Sequence, residues 1–209
     1  MNSFTMPPRG LYLLTPEEAD SGRLRARLEP VLAAGAVLLQ LRCKDGDEAR
    51  RRRHALALRP TCEALGVPLV VNDDWRLAAE LGLGAHLGEH DGELREARAA
   101  LAPGAILGAS CYDDLARARR MRDAGASYLA FGAFYASGTK PLARRARISL
   151  LGEAHALGLP VVAIGGIRAD NGATLLAAGA DFLAVLGAVF DAPDPPAAAR
   201  AFQPLFQAN

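Results

Sequence analysis

The sequence predicts an α/β protein: one (β/α)8 TIM barrel that fills residues 1–209 as a single domain. Three observations predict it. Short apolar runs rich in Val, Leu and Ile alternate with longer Ala-, Arg- and Glu-rich stretches of helical period, the pattern of parallel strands buried beneath crossover helices. The runs number eight, which closes a barrel, whereas a doubly wound sheet has fewer strands and reverses once. At 209 residues the length suits one such barrel, and no linker, low-complexity tract or composition break divides it.

In chain order the strands fall at residues 11–15, 37–41, 68–72, 85–87, 106–109, 128–132, 161–165 and 182–186. Seven helical stretches fill the intervals. Gly35, Gly125 and Gly179 each stand between a helical stretch and a strand, where a left-handed residue ends a helix without a Cβ penalty. A Pro-rich turn at 191–196 precedes a final helix over about 195–203. The stretches 123–134 and 178–190 echo one another, two helix-end and strand units of one design.

An apolar fraction of 51%, 22% charged residues and a mean hydropathy of +0.09 are those of a folded protein able to bury a core. A net charge of +1 supplies no basic field for a nucleic-acid backbone, and no polybasic segment flanks an apolar helix as a membrane anchor requires. Neither a signal-peptide pattern at residues 1–10 nor an apolar run near the ~18 residues of a membrane span is present, so a cytoplasmic protein is expected. Cys43, Cys62 and Cys111 are odd in number and lack CxxC spacing, which points to reduced thiols.

In such barrels the working residues gather where strands end at the C-terminal rim. After the second run, Gln40, Arg42 and Lys44 alternate and share one face if the chain stays extended, an arrangement that suits an anion. After the third comes Asn72-Asp73-Asp74, and the fourth leads through His86 to Asp91. Mg2+ is commonly bound by one or two carboxylates together with substrate phosphates, so Asp73 and Asp91 are candidate ligands; the alternative for either is a helix N-cap, which is preferred for Asp74. His86 has no second His spaced to join it and is read as an inward-facing structural residue. Ser110, Cys111 and Tyr112 follow the fifth run. The loop after the sixth, with Ser137, Gly138, Thr139 and Lys140, is the longest of its kind, and long loops in compact domains are often functional. At the seventh and eighth ends, Gly166 and Gly187 let backbone N–H groups approach a phosphate. Two anion sites therefore emerge, one cationic and metal-assisted, one lined by glycine, fit for two phosphorylated substrates or for one bisphosphate.

Taken together, the stretch from Gly10 to Thr15, the Gln40 to Lys44 segment, Asn72-Asp73-Asp74, His86 to Gly88 with Asp91, Ser110, Phe131-Gly132, Thr139-Lys140, residues 163–167 and Gly179 to Asp181 give the chain its likeness. In that order and spacing it resembles the thiamine-phosphate synthase family over nearly its whole length. The resemblance implies condensation of a hydroxymethylpyrimidine diphosphate with a hydroxyethylthiazole phosphate, releasing pyrophosphate, with one Mg2+ per subunit. It also implies that Gln40, Leu41, Arg42, Cys43, Lys44, Asn72, Ser110 and Lys140 hold the pyrimidine diphosphate. Ser137, Gly138, Thr139, Gly166, Leu186 and Gly187 would hold the thiazole phosphate. Arg42, Lys44, Lys140 and Ser110 would assist the chemistry, and Asp73 and Asp91 would bind the metal. The partners expected are thus two small phosphorylated heterocycles, with a homo-oligomer possible.

Several positions depart from the family pattern: Cys43 stands where an acid is common, Glu89 for Gln, Tyr112 for His, Ser137 for Thr and Gly187 for Ser. Glu89 adds negative charge beside the expected metal. A related thiazole tautomerase performs proton transfer and wants a poised base such as His, so Tyr112 and the retained pair Asp73 and Asp91 favour the synthase. A catalytically silent phosphate-binding barrel is the rival of a different class.

Overall fold

A computed structural model of the protein describes residues 6–43, 47–136 and 144–207. Eight parallel strands, β1 (Gly10–Leu14), β2 (Ala36–Leu41), β3 (Leu69–Asn72), β4 (Gly84–Leu87), β5 (Leu107–Tyr112), β6 (Tyr128–Phe131), β7 (Val161–Ile164) and β8 (Phe182–Val185), pair in sequence order, and β8 pairs with β1 to close the barrel. The expected (β/α)8 architecture is present.

Seven helices return the chain between strands: α1 (Ser21–Ala33), α2 (Glu48–Leu65), α3 (Trp75–Leu81), α4 (Leu94–Ala100), α5 (Leu115–Asp123), α6 (Leu150–His155) and α7 (Gly172–Ala177). Their starts are written locally: Asp20, Asp47, Asp74 and Asp114 each accept a hydrogen bond from the backbone N–H three residues on, satisfying a donor the first turn leaves open. Gly35, Gly125 and Gly179 all adopt positive φ just past a helix end, as expected.

Beyond β8 come the one-turn α8 (Gly187–Phe190), then α9 (Pro195–Arg200) and α10 (Gln203–Gln207). The single helix expected over 195–203 is therefore two. Ala201 and Phe202 form a turn that buries the Phe202 ring in the core, and Gln203 donates from its side chain to the Ala34 carbonyl at 2.6 Å, drawing α10 toward the end of α1.

Strand alternation sorts the core into two layers. Odd-parity residues such as Leu11, Leu13, Leu39, Leu41, Val71 and Leu107 face the helices in the larger apolar cluster. Tyr12, Leu14, Leu38, Val70, Tyr128, Val162 and Phe182 fill the lumen. Gly108 makes the lumen wide enough: a Cβ there would lie 2.0 Å from Cζ of Tyr128, so this ring occupies the space a side chain on β5 would need. Among the described residues, no helix is long and apolar enough to cross a membrane.

Candidate active site

The lumen parity of β2 to β5 carries polar groups upward to the C-terminal rim. Gln40 follows Leu38 inward, Asn72 follows Val70, His86 stands opposite Asn72 in the ladder, and Ser110 follows Gly108. Ser110 lies within β5, which runs three residues beyond the predicted run of 106–109 before its register shifts against β6 between Ser110 and Tyr112. Its side chain is thus held by the ladder, where a loop position had been expected.

Just above, β3 ends in a tight reversal in which Asp74 N–H donates to the Asn72 carbonyl at 2.8 Å and Asp73 N–H to the His86 carbonyl at 2.8 Å. Asp73 is held at φ 68°, a left-handed conformation that costs a residue with a Cβ on the order of 1 kcal/mol and marks a site over-determined by its surroundings. Asp74 is the N-cap the sequence suggested, and Arg51 on α2 ties it down through an ion pair of 2.6 Å, both side chains largely buried.

Asp91 is no helix cap. Glu93 occupies that position for α4, and the Asp91 carboxylate instead accepts from the Gly88 N–H at 2.7 Å. The Asp91 carboxyl lies close enough to Asp73 to act on its protonation. Burial first, then the facing Asp91 carboxyl, push Asp73 up to about 7, against the opposing pull of Arg42 and Arg51. Arg42 is placed by a reciprocal pair, its backbone N–H donating to the Thr15 hydroxyl at 2.9 Å and that hydroxyl donating to the Arg42 carbonyl at 3.2 Å. Arg42, Asp73 and Asp91 therefore share one corner of the rim.

The remaining candidates divide. Leu41 is fully buried in the outer layer and Cys43 packs against it, so their side chains point toward the helices; a ligand would meet residue 41 through its backbone alone. Burial raises the Cys43 thiol, and all three cysteines are free. Gly166 adopts φ 64° and a Cβ there would lie 2.2 Å from the Ala136 carbonyl oxygen, so only glycine fits. Leu186 packs at the lumen mouth and Gly187 opens α8, which places Gly166 and Leu186–Gly187 at the ends of neighbouring strands. Lys44, Ser137, Gly138, Thr139 and Lys140 lie outside the described residues.

Some contributors were not foreseen. Arg117 on α5 donates to the carbonyls of Ser110 at 2.7 Å and Gly88 at 2.9 Å, clamping the ends of β4 and β5 together. Beneath the rim runs a string of side chains across the lumen: the Gln40 amide donates to Tyr12 at 2.8 Å, Tyr12 meets Tyr128 at 2.7 Å, Tyr128 meets His86 Nδ1 at 2.8 Å, and His86 Nε2 meets Ser110 at 2.9 Å. His86 faces inward as expected, with its ring stacked on Tyr128 at 5.5 Å. Polar residues recurring at lumen parity were the signal that could have found the string.

Comparison with known proteins decides which family this rim serves. A family model described as thiamine monophosphate synthase matches residues 11–189. The chain belongs to the thiamine monophosphate synthase family. It is 52% identical over 204 residues to a thiamine-phosphate synthase of Thiobacillus denitrificans, covering 97% of each chain. It is 50% identical over 208 residues to that of Methylobacillus flagellatus, covering 99% of this chain and 100% of the relative. A solved thiamine phosphate pyrophosphorylase from Pyrococcus furiosus superposes with a TM-score of 0.82 at 28% identity, covering 95% of each. The corner formed by Arg42, Asp73 and Asp91 and the glycine-lined rim at β7 and β8 are the two features of this rim that the sequence also singled out.

Proposed function

We propose that this protein is a transferase that condenses 4-amino-2-methyl-5-hydroxymethylpyrimidine diphosphate with hydroxyethylthiazole phosphate, giving thiamine phosphate and pyrophosphate. The observation that carries this reading is the facing pair Asp73 and Asp91 beside Arg42: two carboxyl groups, one held up to about 7, next to a cation at the mouth of the barrel. Such a pair suits a divalent metal, because a metal that replaces the proton on Asp73 relieves the repulsion between them. Among the described residues no set of three metal-ligating side chains converges, which fits an ion bound by one or two carboxylates and completed by phosphate oxygens and water. All-oxygen ligation is the preference of Mg2+, and we assign Mg2+ to Asp73 and Asp91. When bound, it would neutralise the charge that grows on the departing diphosphate.

The chain's own residues supply the rest. Arg42, with Lys44 and Lys140, stabilises the same charge as the C–O bond to the pyrimidine methylene breaks, an effect worth roughly 2.7–4 kcal/mol per preorganised donor in enzymes. Gln40, Asn72 and Ser110 orient the pyrimidine, and Leu41 and Cys43 contribute backbone to the same wall. Ser137, Gly138, Thr139, Gly166, Leu186 and Gly187 hold the thiazole phosphate so that its nitrogen lies in line to attack the carbon. No protein nucleophile is needed. The barrel walls keep water from the electron-poor methylene between the two steps.

The experiment is pyrophosphate release from the two substrates, with Mg2+ and with chelator. Release that needs both substrates and stops on chelation is expected; release indifferent to chelator removes the metal from the reading.

A further inference from the structure

We infer that Tyr12, Tyr128 and His86 are positioning residues that couple the amide of Gln40 to the hydroxyl of Ser110 across the barrel, so that the two present matched, opposite hydrogen-bonding polarity to a substrate heterocycle. The inference rests on the reading of the site given above and adds residues and a specificity device to it.

Counting the protons along the string sets the direction of each bond. Burial pushes both phenols well above their ordinary value, so Tyr12 and Tyr128 each keep one hydrogen and can each donate once. Gln40 donates to Tyr12 from its amide nitrogen. Tyr12 then spends its hydrogen on Tyr128, because the reverse direction would leave that buried hydrogen without an acceptor among the described residues, and Tyr128 spends its own on His86 Nδ1. An Nδ1 that accepts leaves the imidazole proton on Nε2, which donates to the Ser110 hydroxyl oxygen. Ser110 accepts there, so its hydrogen points elsewhere, as a donor to a ligand, while the Gln40 carbonyl oxygen stays an acceptor. Reversing either end requires every hydrogen between to reverse.

Five side chains from β1, β2, β4, β5 and β6 take part, and they are packed tightly: the ring of Tyr128 fills the space vacated by Gly108, and Tyr12 meets Tyr128 edge-on with ring centroids 5.8 Å apart. A packing role alone would be met by phenylalanine at both tyrosines. An aminopyrimidine offers an amine donor beside acceptor atoms and matches an acceptor from Gln40 and a donor from Ser110. Its oxo analogue, with acceptor in place of amine, meets the wrong polarity at Gln40.

The test reads the His86 tautomer by nitrogen-detected NMR on the full chain labelled with 15N-histidine, at pH 8 and without substrate, so its outcome is independent of whether the chain releases pyrophosphate. The His86 signals are assigned by their loss in His86→Gln. Wild type should carry the proton on Nε2. Gln40→Glu, whose carboxylate can only accept, should move it to Nδ1. In Tyr128→Phe the same Gln40→Glu change should leave the tautomer where it was. In kinetics, Tyr128→Phe should raise KM for the aminopyrimidine diphosphate about tenfold and leave KM for the thiazole phosphate unchanged. An Nδ1 proton in wild type, a tautomer indifferent to Gln40→Glu, a switch that persists without Tyr128, or a fall in kcat with both KM values unchanged overturns the proposal.

Discussion

On the proposed reading, the two arcs of the rim hold a phosphate by opposite means. From β2 to β4 the work falls to side chains: Arg42, Asp73 and Asp91 bring charge to one corner, and Asp73 is both strained at φ 68° and raised to about 7. From β7 to β8 the work falls to backbone, with Gly166 pressed against the Ala136 carbonyl and Gly187 opening a single helical turn. The difference teaches where each arc is vulnerable. A charged corner responds to pH, metal and charge-removing substitutions of the same shape; a backbone cradle is indifferent to those and responds to an added Cβ.

The largest expected effect breaks the charged arc alone. In Asp91→Asn the side chain can still accept from the Gly88 N–H at 2.7 Å, so the turn survives, but the negative charge beside Asp73 is gone. Turnover should fall by roughly 10^2 to 10^3, the scale on which one preorganised electrostatic group acts, with the melting temperature little changed. Steady-state pyrophosphate release across a Mg2+ titration checks this, and activity within a few-fold of wild type would remove Asp91 from the metal.

The next breaks the other arc alone. Gly166→Ala places a methyl 2.2 Å from the Ala136 carbonyl oxygen at φ 64°, so the loop must move. KM for the thiazole phosphate should rise by about tenfold or more while KM for the pyrimidine diphosphate holds, and stability should drop by roughly 1–3 kcal/mol. Varying each substrate in turn separates the two. Equal rises in both KM values would mean that the arcs are not independent.

A third sharpens the comparison through pH. Asp73 is raised from 3.8 to about 7, so between those values the folded protein holds a proton the unfolded chain has released. Stability without metal therefore falls as pH rises through that window and levels off above about 7. Mg2+ competes with that proton, so the gain in melting temperature on adding Mg2+ should be small near pH 5.5 and larger near pH 8. Thermal shift at the two values measures it; equal gains would detach the metal from Asp73.

The sequence already held most of the fold, because parallel strands buried on both faces read as apolar runs and Asp residues announce helix starts. The end of β5 was missed for a physical reason: Ser110, Cys111 and Tyr112 look like a loop by composition, and only pairing with β6 keeps them extended. The corner at Asp73 and Asp91 was legible as acids after neighbouring strands. What separates the proposed ligand from the cap was not: Asp73 and Asp74 are adjacent and identical, and their fates separate through the left-handed turn at Asp73 and the ion pair of Asp74 with Arg51, 23 residues away in sequence. The string from Gln40 to Ser110 was hidden because tyrosines in apolar strands read as core, and their hydroxyls matter only once five strands bring them to one level.

Tyr112 offers the smallest effect and the finest cut between the arcs, since it stands at the end of β5 between them. Its hydroxyl accepts from the Glu89 N–H at 3.2 Å, the residue is 39% exposed, and its φ is 57°. The joint between β4 and β5 is already secured by Arg117 through two carbonyls, so the phenol adds one long, solvent-accessible bond to a tie that holds without it. Tyr112→Phe should therefore shift stability by no more than about 0.5 kcal/mol and turnover by no more than about twofold. Denaturant melts and steady-state rates suffice to measure both. A tenfold loss of rate at unchanged stability would instead put the phenol in contact with substrate, and the charged arc would then extend one strand further than the carboxylates and Arg42 now mark it.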